Sequence, residues 1–263
     1  MKRIENNGVV YFAFENLAAT GIVRHGFSSR IGGVSAGHFA SMNLGASRGD
    51  NPEAVAENRR RFCRAVGLGD DKIVGLKQTH STDIIRVDDK LSADTEGDGL
   101  VTDRPGITLV TYYADCVPLL LCDPVRRVIA NCHAGWRGTA HNMAGTAVQK
   151  MVMDYGCNPR DILVGIGPSI SRQNFEVGPE VVQSFKDLLP FSADFVYNSH
   201  SKPNKFHIDL WGINHHSFVM AGVPKENIET AGLCTFDDEA HFYSHRRNGK
   251  DRGSLAAFMA LEE

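Results

Sequence analysis

The chain has 263 residues, of which 42% are hydrophobic and 22% charged, a balance that fits a folded globular protein and excludes disordered or fibrous structure. Its 28 Lys and Arg against 31 Asp and Glu leave a formal charge of −3, which argues against an electrostatic nucleic-acid binder. No apolar run reaches the ~18–20 residues that span a bilayer, and Val9–Phe14 is too short and too early for a signal peptide. The expected compartment is therefore the cytoplasm, with neither membrane nor nucleic acid as a partner. Cys63, Cys116, Cys122, Cys132, Cys157 and Cys234 include no Cys-x-x-Cys and read as reduced thiols in a chain long enough to bury its own core.

In chain order, the Gly- and Ser-rich stretch from Gly21 to Gly49 reads as one extended loop, of a length that tends to carry function. Asn51-Pro52-Glu53 opens a helix that ends at Gly67 or Gly69. Ile73–Leu76 and Ile84–Val87 are short strands on either side of the segment that holds His80. Ile107–Tyr113, rich in β-branched and aromatic residues, is a buried strand. Two apolar segments flank Pro124-Val125 and predict a hairpin. Helical spacing runs from Arg137 to Tyr155, with Gly156 just past its end. Ile162–Gly167 returns as a strand, Asp209–Gly222 is an amphipathic helix, and a last strand lies near Ile228–Leu233. No repeat or linker divides the chain, so residues 1–263 are expected to form a single domain of α+β or mixed-sheet α/β class.

The hairpin carries the first functional expectation. With Pro124 and Val125 as a two-residue turn, Asp123 pairs with Arg126 and Cys116 with His133. Directly paired residues share a face with Cβ atoms ~4.5–5.5 Å apart. That separation suits two ligands of one metal ion, or a thiol beside its general base. His133 precedes a helix whose free N–H groups, together with Arg137, suit an anion such as phosphate. His80, at the end of another short strand, is the candidate third ligand. The chain has no His-Glu-x-x-His, no zinc-deaminase signature, no Gly-x-Gly-x-x-Gly and no phosphate loop of the Gly-x-x-x-x-Gly-Lys type.

Several motifs together bear a family resemblance. They are LKQTHST (Leu76–Thr82), DGLVT (Asp98–Thr102), YADCVPLLLCDP (Tyr113–Pro124), CHAGWRGT (Cys132–Thr139), GIGPSIS (Gly165–Ser171) with FEVG, and HIDL with LCT and SHRRNG further on. In this order, from about Gly26 to Leu261, the chain resembles the family first called multicopper polyphenol oxidases or laccase-domain proteins. Its members are now regarded as purine nucleoside phosphorylases with adenosine deaminase and methylthioadenosine phosphorylase activity. The resemblance implies His80, Cys116 and His133 as metal ligands, and a fold related to the cysteine hydrolase domain of cytotoxic necrotizing factor toxins. It implies purine nucleosides (adenosine, inosine, guanosine and methylthioadenosine) and phosphate as partners, and zinc as cofactor with copper as the alternative. Two imidazoles and a thiolate leave zinc one open position, and zinc lowers the pKa of bound water towards ~7, which suits attack on C6 of adenine. Arg30, Arg137, Arg246 and Arg247 are the candidates for holding phosphate, because guanidinium matches oxyanion geometry. Asn43 is the candidate for ribose hydroxyls, and Asp115 for an acid/base or orienting role.

Three other readings compete. Cys116 with His133 or His80 makes a thiol hydrolase without metal, an amidase acting on cell-wall precursors being one form. Copper-dependent oxidation of phenols is another, since His₂Cys is also a blue-copper ligand set, although the His-x-His pairs of a multinuclear copper oxidase are absent. A non-catalytic metal-binding protein predicts bound zinc without turnover.

Overall fold

The computed structural model describes residues 1–199 and 202–263. From the N-terminus, β1 (Lys2–Asn6) and β2 (Val9–Ala13) form a hairpin, followed by α1 (Glu15–Ala18), β3 (Val23–Ser28), α2 (Pro52–Val66), β4 (Ile73–Val74), β5 (Ile84–Arg86) and β6 (Gly99–Thr102). The centre contains β7 (Thr108–Tyr113), β8 (Val117–Asp123), β9 (Val128–Ala134), α3 (Trp136–Ala140), α4 (Met143–Tyr155) and β10 (Leu163–Ile166). The remainder contains β11 (Glu176–Val177), α5 (Pro179–Leu188), β12 (Val196–Asn198), β13 (Phe206–Ile208), α6 (Leu210–Met220), β14 (Ile228–Thr230), α7 (His245–Asn248) and β15 (Leu255–Leu261). Among the described residues no helix is long and apolar enough to cross a membrane.

One six-stranded sheet has the order β1-β2-β3-β15-β7-β4 and the other β14-β10-β8-β9-β6-β5, both of mixed direction. They lie face to face, so this is a mixed α/β fold of four layers. Along β8, Leu120 and Cys122 meet Phe27, Leu109 and Met259 of the opposite sheet, while Val117, Leu119 and Leu121 meet Met143, Ala147 and Met151 of α4 and Ile213 of α6. Both faces of β8 are buried, which is why its sequence is a continuous apolar run instead of an alternating one. The outer face of the first sheet, with Val110, Ala256 and Phe258, is covered by Phe62, Cys63 and Val66 of α2. Asn131 is a buried polar residue between the sheets. It accepts from Thr111 Oγ1 at 2.6 Å and donates to the Ala257 carbonyl at 2.9 Å, so the layers are tied by hydrogen bonds as well as by apolar contact.

The helix over 52–66 forms as its end signals predict. The Asn51 side chain accepts from Glu53 N, Pro52 fills the first turn, and Gly67 closes the helix at φ +80°. Three expectations are corrected. The stretch from Gly21 to Gly49 is not all loop, because Val23–Phe27 pairs with the C-terminal strand. The helix from Arg137 to Tyr155 is two helices, because Asn142 takes φ +61° and caps the second with its side chain. The β8–β9 hairpin pairs Pro118 with His133 and Val117 with Ala134, so Cys116 does not face His133 directly. The turn uses four residues, 124–127, in place of two. Asp123 Oδ1 accepts from Val125 N and Arg126 N, both at 2.9 Å, and Arg127 adopts φ +53°. Because the register moves by two, both side chains keep their face, and Cys116 becomes a diagonal neighbour of His133.

Candidate metal centre

One step beyond the last pair, Val117–Ala134, the register sets Cys116 against Gly135, which has no side chain to fill the space. A Cβ there would lie 2.8 Å from His80 Cδ2 and 3.2 Å from Cys116 Sγ. Into that gap project His80, Cys116 and His133, whose ligand atoms all lie within 4.8 Å of one another. Cys116 Sγ and His80 Nε2 are 3.9 Å apart, against about 3.5 Å expected between a sulfur and a nitrogen ligand of one tetrahedral zinc ion.

One carboxylate orients two of the three. Asp98 is fully buried, and its Oδ1 lies 2.8 Å from His133 Nδ1. An ionised carboxylate only accepts, so Nδ1 carries the proton and Nε2 is left as the ligand atom. Asp98 Oδ2 accepts from Ser81 N at 2.6 Å and Thr79 N at 3.1 Å, the two neighbours of His80. Those bonds hold His80 at φ +62°, a conformation unfavourable for a residue with a Cβ. Gln78 anchors the same segment, taking Tyr112 N at 2.7 Å and giving to the Tyr112 carbonyl at 3.0 Å. The His133 ring packs against His80 and Tyr113, with centroids 5.0 Å and 5.4 Å away.

Burial raises the Asp98 carboxyl, but the hydrogen bond and charge of His133 and the two backbone N–H groups outweigh it and hold the group at about 2. Burial also opposes charge on Cys116, yet the His133 charge and the hydrogen bonds from both histidines bring its thiol down to about 6. His133 rises to about 9 against its own burial, through Cys116 and Asp98. Cys63, Cys122 and Cys132 lack such company and are pushed up by burial to about 12. These residues fit a small tetrahedral ion: a thiolate, two imidazoles, that of His133 with its tautomer fixed by Asp98, and a fourth side open to a cavity of about 630 Å³.

Asp115 sits at φ +86° with both oxygens engaged. Oδ1 accepts from Thr235 Oγ1 at 2.7 Å, and Oδ2 accepts from Ser244 Oγ at 3.0 Å and Arg246 N at 2.6 Å. It ties the segment leading into α7 to the turn that carries Cys116. Asn43 is buried, and its Oδ1 accepts from Gly45 N at 3.1 Å and Ser254 N at 2.8 Å. Neither it nor the four arginines singled out in the sequence line the cavity. Arg30 donates to the Ala40 carbonyl, Arg246 to those of Asn174 and Glu176, and Arg247 to those of Thr235, Phe236 and Phe242. Arg137 is exposed and lies over the Trp136 ring. The cations on the cavity wall are instead Arg48, Arg252 and Lys77, together with His245. Asp98 could have been found from the DGLVT motif; nothing local distinguished Arg48 or Arg252.

Fold and site together define a mixed α/β protein with a His80–Cys116–His133 cluster on the wall of a cavity. The family model described as multi-copper polyphenol oxidoreductase laccase matches residues 24–262, and the chain belongs to this family. A Deinococcus radiodurans protein named purine nucleoside phosphorylase is 37% identical over 239 residues, covering 91% of this chain and 89% of its own. The Escherichia coli protein named purine nucleoside phosphorylase YfiH is 34% identical over 235 residues, covering 89% and 92%. The crystal structure of YlmD from Geobacillus stearothermophilus superposes with a TM-score of 0.91 at 33% identity, covering 99% of this chain and 98% of that one.

Proposed function

We propose that this chain is a zinc-dependent purine nucleoside phosphorylase, acting on adenosine, inosine, guanosine and methylthioadenosine with phosphate, and that it also deaminates adenosine. The observation that carries the proposal is the convergence of His80, Cys116 and His133 on one point at the wall of a cavity of nucleoside-binding size. The names of the bacterial relatives support the phosphorylase reading, and the soft donor set supports zinc.

Zinc, when bound, supplies Lewis-acid polarisation of a purine atom or of water. The chain's own groups do the rest. Asp98 keeps the His133 proton on Nδ1, away from the centre. Tyr113 gives its hydroxyl to the Cys132 carbonyl and so leaves its ring to brace His133. His245 donates Nδ1–H to the Gly249 carbonyl at 2.7 Å, so Nε2 is its remaining atom for proton exchange at the cavity wall.

The test is metal analysis of the purified protein, followed by chromatography of products from adenosine, inosine and methylthioadenosine with and without phosphate. About one zinc per chain, lost in Cys116→Ala, and release of free base only when phosphate is present are the expected results. Base release indifferent to phosphate, or no stoichiometric metal, overturns it. One observation favours a second reading: with its thiol near 6 beside His133, Cys116 in metal-free protein has the makings of an activated nucleophile, as in a thiol hydrolase. A covalent Cys116 adduct during turnover would establish that reading instead.

A further inference from the structure

Arg252 enters the fold just before β15 with only 6% of its surface exposed. Its Nη1 donates to the Gly253 carbonyl at 2.8 Å, but its buried Nε has no partner among the described residues. The guanidinium borders the same cavity as His80, Cys116 and His133. Arg48 borders it as well, from a short turn on the other side of Ser254 and Gly45. Burial first, and then the charge of Arg48, lower the Arg252 pKa to about 10, against the charges of Asp115 and Cys116. Among the described residues neither arginine has a carboxylate within ion-pair distance, whereas Lys77 on the same wall is neutralised by Glu96 at 2.8 Å.

Two like charges beside one cavity, one of them buried with an unused donor, raise the energy of the empty site unless an anion completes it. A guanidinium presents a planar fork of donors that matches a tetrahedral oxyanion in bidentate fashion. Asn43 fixes the arrangement. Its Oδ1 binds both Gly45 N and Ser254 N, so the turn that carries Arg48 and the strand entry that carries Arg252 are locked together. The Cβ that Gly45 lacks would fall 2.6 Å from Ser254 Oγ, so the two segments meet at contact distance.

We propose that Arg252 and Arg48 form the subsite for inorganic phosphate, the co-substrate, in the cavity that His80, Cys116 and His133 border. The inference rests on the phosphorylase reading. A phosphate oxygen held there forms a bond to C1′ of the ribose as the C1′–N9 bond breaks. The electron pair of that bond leaves with the purine, which takes up the proton of the hydrogen phosphate, so the products are ribose 1-phosphate and neutral base. Asn43 is a positioning residue in this scheme.

The test uses zinc-loaded protein with Arg252→Gln, Arg48→Ala and, as a control, the exposed Arg3→Ala. The expected result is a rise of at least tenfold in KM for phosphate in both cavity variants, with KM for the nucleoside within about twofold of wild type and metal content unchanged. Titration calorimetry with inorganic phosphate alone should show the same loss in binding, and Arg3→Ala should leave both readouts as they are. If Arg252→Gln fails to fold, Arg48→Ala, at an exposed position, still decides the matter. Wild-type phosphate dependence with unchanged phosphate KM and binding in the variants overturns the subsite. Phosphate binding that is lost in the variants, in a wild-type protein that releases no base, leaves the subsite standing and removes the phosphorylase reading.

Discussion

Replacing Asp98 by asparagine exchanges one oxygen for an NH₂ group and removes a charge, and neither orientation of the new amide restores what the carboxylate does. With the amide oxygen towards His133, the NH₂ group confronts the backbone N–H groups of Ser81 and Thr79, now 2.6 and 3.1 Å from an acceptor. Two hydrogen bonds to a charged group are lost, at about 1.5–3 kcal/mol each, so this orientation costs roughly 3–6 kcal/mol of folding stability. With the oxygen towards Ser81 and Thr79, the NH₂ group faces His133 Nδ1, which must then accept. The imidazole proton moves to Nε2, the atom that would bind the metal. This second orientation costs less in folding and more in binding, and outer-shell carboxylates of this kind are typically worth 10–100-fold in metal affinity. Asp98→Asn should therefore bind zinc at least tenfold more weakly, about 1.4 kcal/mol, in competition with a chromophoric chelator. Urea unfolding of the metal-free variant should show a smaller loss than the first orientation demands. Zinc affinity within twofold of wild type would refute the claim that Asp98 sets the His133 tautomer.

Gly135→Ala has an ordinary φ of −67° and so tests the space alone; the new Cβ, 2.8 Å from His80 Cδ2, should displace that ring and cost at least tenfold in zinc affinity, and an unchanged zinc titration would count against the role assigned to the missing side chain. Iodoacetamide should label Cys116 slowly in metal-loaded protein and quickly after chelation, with the metal-free rate levelling off above about pH 7 because the thiol sits near 6, while Cys63, Cys122 and Cys132 stay unlabelled; mass spectrometry reads the sites, and fast labelling with metal bound would remove Cys116 from the ligand set. His25 is buried and accepts the Phe14 N–H at Nε2, and burial lowers its pKa from 6.5 to about 4, so the unfolded chain takes up its proton first as pH falls. Stability from this group is complete above pH 6.5 and is lost as pH falls towards 4, by about 3 kcal/mol in all; urea midpoints across that range should fall less steeply in His25→Asn, and parallel curves would contradict the assignment.

The convergence of His80, Cys116 and His133 was legible because these residues sit at strand ends within dense motifs, and because parity protected the hairpin argument from its own error. The turn at 124–127 adopts a four-residue form through Asp123 and the positive φ of Arg127, neither of which a dipeptide such as Pro124-Val125 announces. A shift of one would have sent His133 to the helix side; the shift of two left it with Asn131 and Ile129 between the sheets. The arginines were not legible for a different reason. Arg246 and Arg247 stand in the SHRRNG motif and Arg30 in the Gly- and Ser-rich stretch, but backbone carbonyls take up their donors, and no local pattern distinguishes such an arginine from one facing a cavity. Arg48 and Arg252 are brought together by pairing between residues 211 positions apart, Asn43 and Ser254. Strand β3 was hidden for a related reason: its Gly26 looks like a loop residue, but is needed where Phe62 and Val66 of α2 press on the strand.

The four-residue turn also lies far from the chemistry. The centre lies where β8 begins and β9 ends, and the turn closes the opposite end of the hairpin, one strand length of seven residues or about 20 Å away. Val125 at its tip is 70% exposed. A fluorophore or short peptide grafted there has the whole hairpin as a rigid stalk between itself and the ligands, provided Asp123 is kept to hold the base of the turn. That makes residues 124–127 the natural handle for immobilising or labelling the protein while the cavity is titrated.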